Sequence, residues 1–150
     1  MQCVVSDTIV FLSKTFPKIY SSLYLKYLKE YSVGYDVNKT QLRALVFIKN
    51  YGSISMTDLC AKLNIEKGSL TSIVDDLTQK GYVVREKHSA DRRKYLIAIT
   101  NKGELLADDF MSKLNVCLEE KFYKLTEEDR DKYVEAINTL QYILSKEELN

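Results

Sequence analysis

Glu66-Lys67-Gly68-Ser69-Leu70-Thr71-Ser72-Ile73-Val74-Asp75-Asp76-Leu77-Thr78-Gln79-Lys80-Gly81 runs directly into Tyr82-Val83-Val84-Arg85-Glu86, then Lys87-His88-Ser89-Ala90-Asp91-Arg92-Arg93-Lys94, then Tyr95-Leu96-Ile97-Ala98-Ile99-Thr100. Leu70, Ile73, Val74 and Leu77 recur at the one-faced spacing of an amphipathic helix. Gly81 stops that helix as a residue free to take a positive φ. The two β-branched, aromatic runs read as strands, with Tyr82 and Val84 sharing one face of the first and Tyr95, Ile97 and Ile99 one face of the second. The stretch between them is too polar for a core. A helix followed by a hairpin with a basic tip is a winged helix in outline.

Upstream, Ser55-Met56-Thr57-Asp58 carries a helix-capping signature, and Leu59 and Leu63 supply the inner face of a short helix ending near Asn64. Only a few residues separate it from the helix beginning at Lys67, so the pair forms a helix-turn-helix with the second member as the recognition helix. Before it, Asn38-Lys39-Thr40-Gln41 has the spacing of a capping box, opening a helix with Leu42, Leu45, Val46 and Ile48 inward and Gly52 at its end.

The N-terminal part reads as one long helix, with Val5, Ile9, Leu12, Phe16, Ile19, Leu23 and Tyr27 on one stripe, Pro17 expected to kink it and Gly34 to break it. A small domain cannot cover such a stripe, so a partner helix is required. After Thr100, Leu106, Phe110, Leu114, Cys117 and Phe122 mark a second long helix. Thr126, with Asp129 three residues on, caps a third whose inner face is Tyr133, Ile137, Leu140 and Leu144. The expected fold is therefore mainly α with a small β-hairpin: a winged helix-turn-helix over residues 38–100, flanked by dimerisation helices over 4–32 and 101–146, the whole of 1–150 forming one domain.

Composition narrows the function. The net charge of +1 divides into 15 Lys/Arg against 9 Asp/Glu in residues 1–100 and 7 against 12 in residues 101–150. Arg85 to Lys94 alone holds five basic and two acidic side chains. That asymmetry suits a surface meeting a polyanion, although a charged hairpin tip can also be merely solvated. No apolar run is long enough to cross a bilayer, and Met1 to Val5 lacks the basic start of a signal peptide, so a cytoplasmic protein is expected. Cys3, Cys60 and Cys117 are odd in number and far apart, as reduced thiols are, and with the single His88 they show no ligand spacing, so no metal and no cofactor is expected. No Ser-His-acid set, carboxylate pair or phosphate-binding loop is present, and the expectation is that the chain is not an enzyme.

The order Gln41, Leu42, Leu45; Leu59-Cys60-Ala61-Lys62-Leu63; Gly68-Ser69-Leu70-Thr71; Asp75, Leu77, Lys80-Gly81-Tyr82-Val83-Val84-Arg85; Asp91-Arg92-Arg93; and Ile99-Thr100-Asn101-Lys102-Gly103 resembles the MarR family of bacterial winged-helix transcription regulators. Its specific part is the Asp-x-Arg of the wing followed at fixed distance by an apolar-Thr pair and Lys-Gly. The resemblance implies a dimeric, sequence-specific binder of double-stranded DNA, a repressor acting on a pseudo-palindromic operator and released by a small phenolic or aromatic effector. A winged helix serving only as a protein-interaction module is the alternative, and it leaves the basic tip without a role.

The resemblance also assigns residues. Lys67, Ser69, Thr71 and Ser72 in the first turns of the recognition helix are expected to reach phosphates and base edges. Arg93 is expected to enter the minor groove, oriented by Asp91, with Arg92 and Lys94 adding phosphate contacts. Ser72 and Asp76 depart from the family, whose members often carry basic side chains there; Asp75 and Asp76 would repel phosphate, though Lys80 can neutralise Asp76 along the helix. Relatives that sense peroxides carry a cysteine in the first helix, about where Lys14 stands here. Tyr20, Tyr24, Tyr27 and Tyr31 lie at steps of four, three and four and share a face. Tyr20, Tyr24 and Tyr27 are the candidate effector pocket, the alternative being plain packing in the core or dimer seam.

Overall fold

A computed structural model describes residues 2–87 and 95–146. Gln2–Val10 (α1), Phe16–Tyr20 (α2) and Lys26–Ser32 (α3) are α-helical and joined by five-residue π-helical turns at Phe11–Thr15 and Ser21–Leu25. Pro17 stands in the first positions of α2. It has no N–H for the ladder and its ring crowds the carbonyl four residues back, and the turn before it is widened, with the Phe16 N–H donating to the Phe11 carbonyl.

Lys39–Tyr51 (α4) opens on the expected capping box: Asn38 Oδ1 accepts from the Thr40 and Gln41 amides, each at 2.9 Å, and Gln41 Oε1 accepts from the Asn38 amide at 2.8 Å. Ser53–Ser55 (β1) leads into Met56–Leu63 (α5), where Ser55 Oγ accepts from the Asp58 amide at 3.1 Å. Asn64, left-handed at φ 51°, makes the turn to Lys67–Gln79 (α6). Gly81 at φ 76° then sends the chain into Val83–Lys87 (β2) and, after the wing, Tyr95–Ile99 (β3). Asn101–Phe122 (α7) and Glu127–Leu144 (α8) follow, the latter capped by Thr126 Oγ1 accepting from the Asp129 amide at 3.1 Å.

The sheet differs from the expected hairpin in two ways. It has three antiparallel strands in the order β1-β3-β2, with Ser53, Ile54 and Ser55 opposite Ala98, Ile97 and Leu96. One isoleucine between two serines carries no periodicity, and Ile54 becomes a strand residue because Ile97 and the core behind it bury it. Also, β2 begins at Val83 rather than Tyr82: Val83 faces Ile99 and is fully buried, while Val84 faces Ala98 and is exposed. Tyr82 therefore lies outside the strand in which it was expected to share a face with Val84. Tyr82 is buried in the turn before the strand, where its hydroxyl donates to Asp36 Oδ1 at 2.5 Å.

The winged part is built on Leu42, Leu45 and Ile48 of α4, Leu59 and Leu63 of α5, Leu70, Val74 and Leu77 of α6, and Val83 and Ile97 of the sheet, all essentially inaccessible. Burying each such side chain contributes about 1.5–3 kcal/mol. Thr100 ties the sheet to α7: its amide and hydroxyl both donate to the Tyr82 carbonyl, at 3.0 and 3.1 Å, and its hydroxyl also to the Gly81 carbonyl at 2.8 Å. Leu106, Ala107, Phe110 and Leu114 are the buried residues of α7 besides Gly103.

Residues 1–114 and 115–150 form two compact units. In the second, the Phe122 and Tyr133 rings meet at 4.8 Å, but α8 has no fully buried residue; Tyr133 and Ile137 are half-buried, and Leu140 and Leu144 are exposed, contrary to their expected burial. Val5, Ile9, Leu12 and Phe16 are likewise exposed. Among the described residues, no helix is long and apolar enough to cross a membrane.

Candidate nucleic-acid interface

The inward residues of α6 leave Lys67, Ser69, Thr71 and Ser72 together on its exposed side, as their spacing requires. Ile73 is half-buried, and Val74 takes the deeper position. The Thr71 hydroxyl donates to the Lys67 carbonyl at 2.9 Å and the Ser72 hydroxyl to the Gly68 carbonyl at 3.4 Å, so their lone pairs point outward from a held rotamer. Lys67 and Thr71 also line a groove of about 510 Å³ with Met56, Arg85 and Tyr95. A β-carbon added at Gly68 would meet open space, so packing within the chain does not require glycine there.

The two carboxylates of α6 are both engaged. Asp75 pairs with Arg85 of β2 at 2.5 Å. Asp76 pairs with Lys80 at 2.8 Å and accepts from the Gln41 side-chain amide; these two hydrogen bonds, Lys80 first, hold its carboxyl below the usual range. Lys80 also donates to the Asp36 carbonyl at 2.5 Å. The Lys80 pairing follows from spacing along one helix, whereas the Gln41 and Arg85 contacts come from residues 35 and 10 positions away and carry no sequence signal. Lys102 donates to the Lys80 carbonyl at 2.7 Å and lies over the Tyr82 ring at 4.3 Å, which closes the C-terminal end of α6. Burial, then Asp36, pushes the Tyr82 hydroxyl up to about 12. Asp91, Arg92, Arg93 and Lys94 lie outside the described residues.

The tyrosines of the N-terminal helix form a ladder of rings. Phe16 stacks on Tyr20 at 5.9 Å, Tyr20 meets Tyr24 at 5.5 Å, and Tyr24 meets the edge of Phe110 at 6.1 Å. Tyr24, in the second π-helical turn, is half-buried, and burial first, then Tyr20, pushes its hydroxyl up to about 12 against a lowering by Arg43. Tyr27 is half-buried and has Lys26 over its ring at 5.8 Å. Tyr31 meets the same Phe110 edge-on at 5.2 Å and also joins a polar cluster that sequence spacing did not reveal. It stacks on Tyr35 at 4.5 Å, and both hydroxyls donate to Asp109 Oδ2, at 2.5 and 2.6 Å, with Lys113 donating to the same oxygen at 3.0 Å. Those bonds, Tyr31 first, lower the Asp109 carboxyl to about 2.

Residues 35–94 match the family model of the MarR family. The chain is 27% identical to the HTH-type transcriptional repressor YetL of Bacillus subtilis over 111 residues, 71% of this chain and 64% of that repressor. The fold is that of a MarR family protein from Bacillus stearothermophilus, with a TM-score of 0.78, 20% identity and coverage of 94% of this chain and 98% of that one. It is also that of CouR from Rhodococcus jostii, solved with p-coumaroyl-CoA bound, at a TM-score of 0.66, 21% identity and coverage of 90% and 92%.

Proposed function

We propose that the chain, residues 35–94 of which match the model of the MarR family, is a member of that family of winged-helix transcription regulators and a homodimeric repressor of the bacterial cytoplasm that binds a pseudo-palindromic site on double-stranded DNA. The observation that carries this is the exposed face of α6: Lys67, Ser69, Thr71 and Ser72 point outward while Asp75 is paired with Arg85 and Asp76 with Lys80, Gln41 also donating to Asp76. An acidic pair left free beside them would oppose a phosphate backbone; paired, it does not. Arg93, oriented by Asp91, enters the minor groove from the wing, and Arg92 and Lys94 contact phosphates.

A second copy covers the exposed apolar faces of the helices over 4–32 and of α8, since patches such as Val5, Ile9, Leu12 and Phe16 are otherwise left in water. Two recognition helices related by a two-fold axis then require half-sites about one helical turn apart. The operator is released by a small phenolic or aromatic ligand lodged beside Tyr20, Tyr24 and Tyr27. The ladder of rings there supports this, as does the p-coumaroyl-CoA bound by CouR.

The test is fluorescence anisotropy of labelled duplexes across a salt series, with sedimentation to measure the oligomer. Arg93→Ala is expected to weaken operator binding by about 1–3 kcal/mol with unchanged far-UV circular dichroism, and Lys67→Ala to reduce the salt slope by about one. Full operator affinity in Arg93→Ala at moderate salt removes the wing from the mechanism. A monomer at micromolar concentration that keeps its operator affinity overturns the dimer.

A further inference from the structure

The first turns of α6 show hydroxyls where a reader of guanine would carry a longer side chain. Gly68, Ser69, Thr71, Ser72 and Asp75 are exposed there, and Leu70 and Val74 are buried. Lys67 is the only cation of the helix, and Gln79, its last residue, is the only side-chain amide. Lys67 lines, with Met56, each of the grooves of about 510, 570 and 210 Å³ beside α5 and the sheet, so it stands at the flank of α6. Asp75 is held by Arg85 at 2.5 Å. The outward face is thus left to three hydroxyls, with no guanidinium or amide fork to pair with a guanine or adenine edge. Two of the hydroxyls have a fixed polarity. Thr71 donates to the Lys67 carbonyl at 2.9 Å and Ser72 to the Gly68 carbonyl at 3.4 Å, so outward they offer lone pairs. Thr71 adds a methyl group on the other branch of its β-carbon. A β-carbon at Gly68 would meet open space, and its absence lets a duplex come close enough for such short side chains to touch base edges.

Resting on the reading of α6 as the recognition helix, we propose that the operator half-site is A·T under its first turns, and that Thr71 is the residue that selects it. In the major groove an A·T pair offers an adenine amino donor and a thymine methyl group, whereas a G·C pair offers the two guanine acceptors, O6 and N7, one cytosine amino donor and no methyl. Outward lone pairs on Thr71 and Ser72 accept from the adenine amino group and oppose guanine O6 and N7. The Thr71 methyl gains apolar contact only against thymine. Ser69, whose hydroxyl can either donate or accept, discriminates less. Lys67, at the flank, contacts phosphate and adds affinity without sequence preference.

The test is selection from a randomised duplex pool by the full-length protein, then fluorescence anisotropy on the selected duplex. Each half-site is expected to hold a run of A·T pairs. Scanning deoxyuridine, which lacks the methyl group, through the thymines of that run should find one at which wild type loses about fourfold in affinity. Thr71→Ser, which keeps the hydroxyl and loses the methyl, should be indifferent to the same replacement. Ser72→Arg should shift selection toward guanine and make binding sensitive to 7-deazaguanine, which lacks N7. Thymines all tolerant of deoxyuridine in wild type overturn Thr71 as the selecting residue. So does a guanine N7 that wild type needs and that Thr71→Val or Ser72→Ala no longer needs. In both outcomes the reading of α6 as the recognition helix stands. A pool with no enriched sequence overturns that reading, and this inference with it.

Discussion

Gly103→Ala adds one methyl group where the start of α7 crosses the backbone of Tyr82. A β-carbon there would lie 2.7 Å from Ile99 Cγ1 and 3.1 Å from the Tyr82 carbonyl carbon, and in hard contact with the Tyr82 carbonyl oxygen. The obstacle is mainly backbone, so no rotamer change relieves it. The first turn of α7 must move away from the strand, straining the bonds by which the Thr100 amide and hydroxyl reach that same oxygen at 3.0 and 3.1 Å. Overpacking costs about 1–3 kcal/mol. Two strained hydrogen bonds add about 1 kcal/mol each, and the better helix propensity of alanine returns at most about 1 kcal/mol. The net is a loss of about 2–4 kcal/mol, and at about 2–4 °C per kcal/mol for a chain of this size Tm should fall by about 5–15 °C. Thermal melts by circular dichroism at matched protomer concentration measure it, the matching being needed because the proposed dimerisation would move Tm. A Tm within about 1 °C of wild type refutes the close approach as the reason for glycine.

Gly68→Ala should do the opposite, raising stability by up to about 1 kcal/mol, because a side chain there meets open space and glycine weakens a helix; an unchanged or lower urea midpoint contradicts this. Arg85→Ala unmasks Asp75 and should weaken binding to mixed-sequence duplex several-fold at low salt, with Asp75→Asn in the same chain recovering most of the loss. Anisotropy that shows no recovery in the double variant removes charge neutralisation as the role of the pair. Asp109, held at about 2 in the fold, lies below its unfolded value, so its contribution is present above about pH 4 and is lost as pH falls through the folded value. The stability gap between wild type and Asp109→Asn should therefore be open at pH 7 and shrink as pH falls from about 4 toward 2; urea midpoints that keep a constant gap over that range speak against the carboxylate as its source.

What the sequence determined by itself is everything governed by neighbours within four residues. Asn38 with Gln41, Ser55 with Asp58 and Thr126 with Asp129 cap their helices because the accepting side chain and the donating amide are three residues apart. Gly81 turns the chain because its φ of 76° strains other residues. Leu70 and Leu77 turn inward by helical period, which leaves Lys67, Ser69, Thr71 and Ser72 outward. Only the tertiary structure decided that Ile54 joins the sheet, that β2 starts at Val83, and that Asp75 of α6 is paired with Arg85. Gln41 reaches Asp76 across 35 residues, Arg43 reaches Leu63 across 20, and Tyr31 reaches Asp109 across 78. Such partners have no spacing rule, because the separation along the chain is set by loop lengths while the contact is set by how α4, α5, α6 and α7 pack on a shared apolar core. The same reason explains the exposed faces of α8 and the N-terminal helix: their apolar stripes are legible as local patterns, but whether a stripe is covered depends on what packs against it.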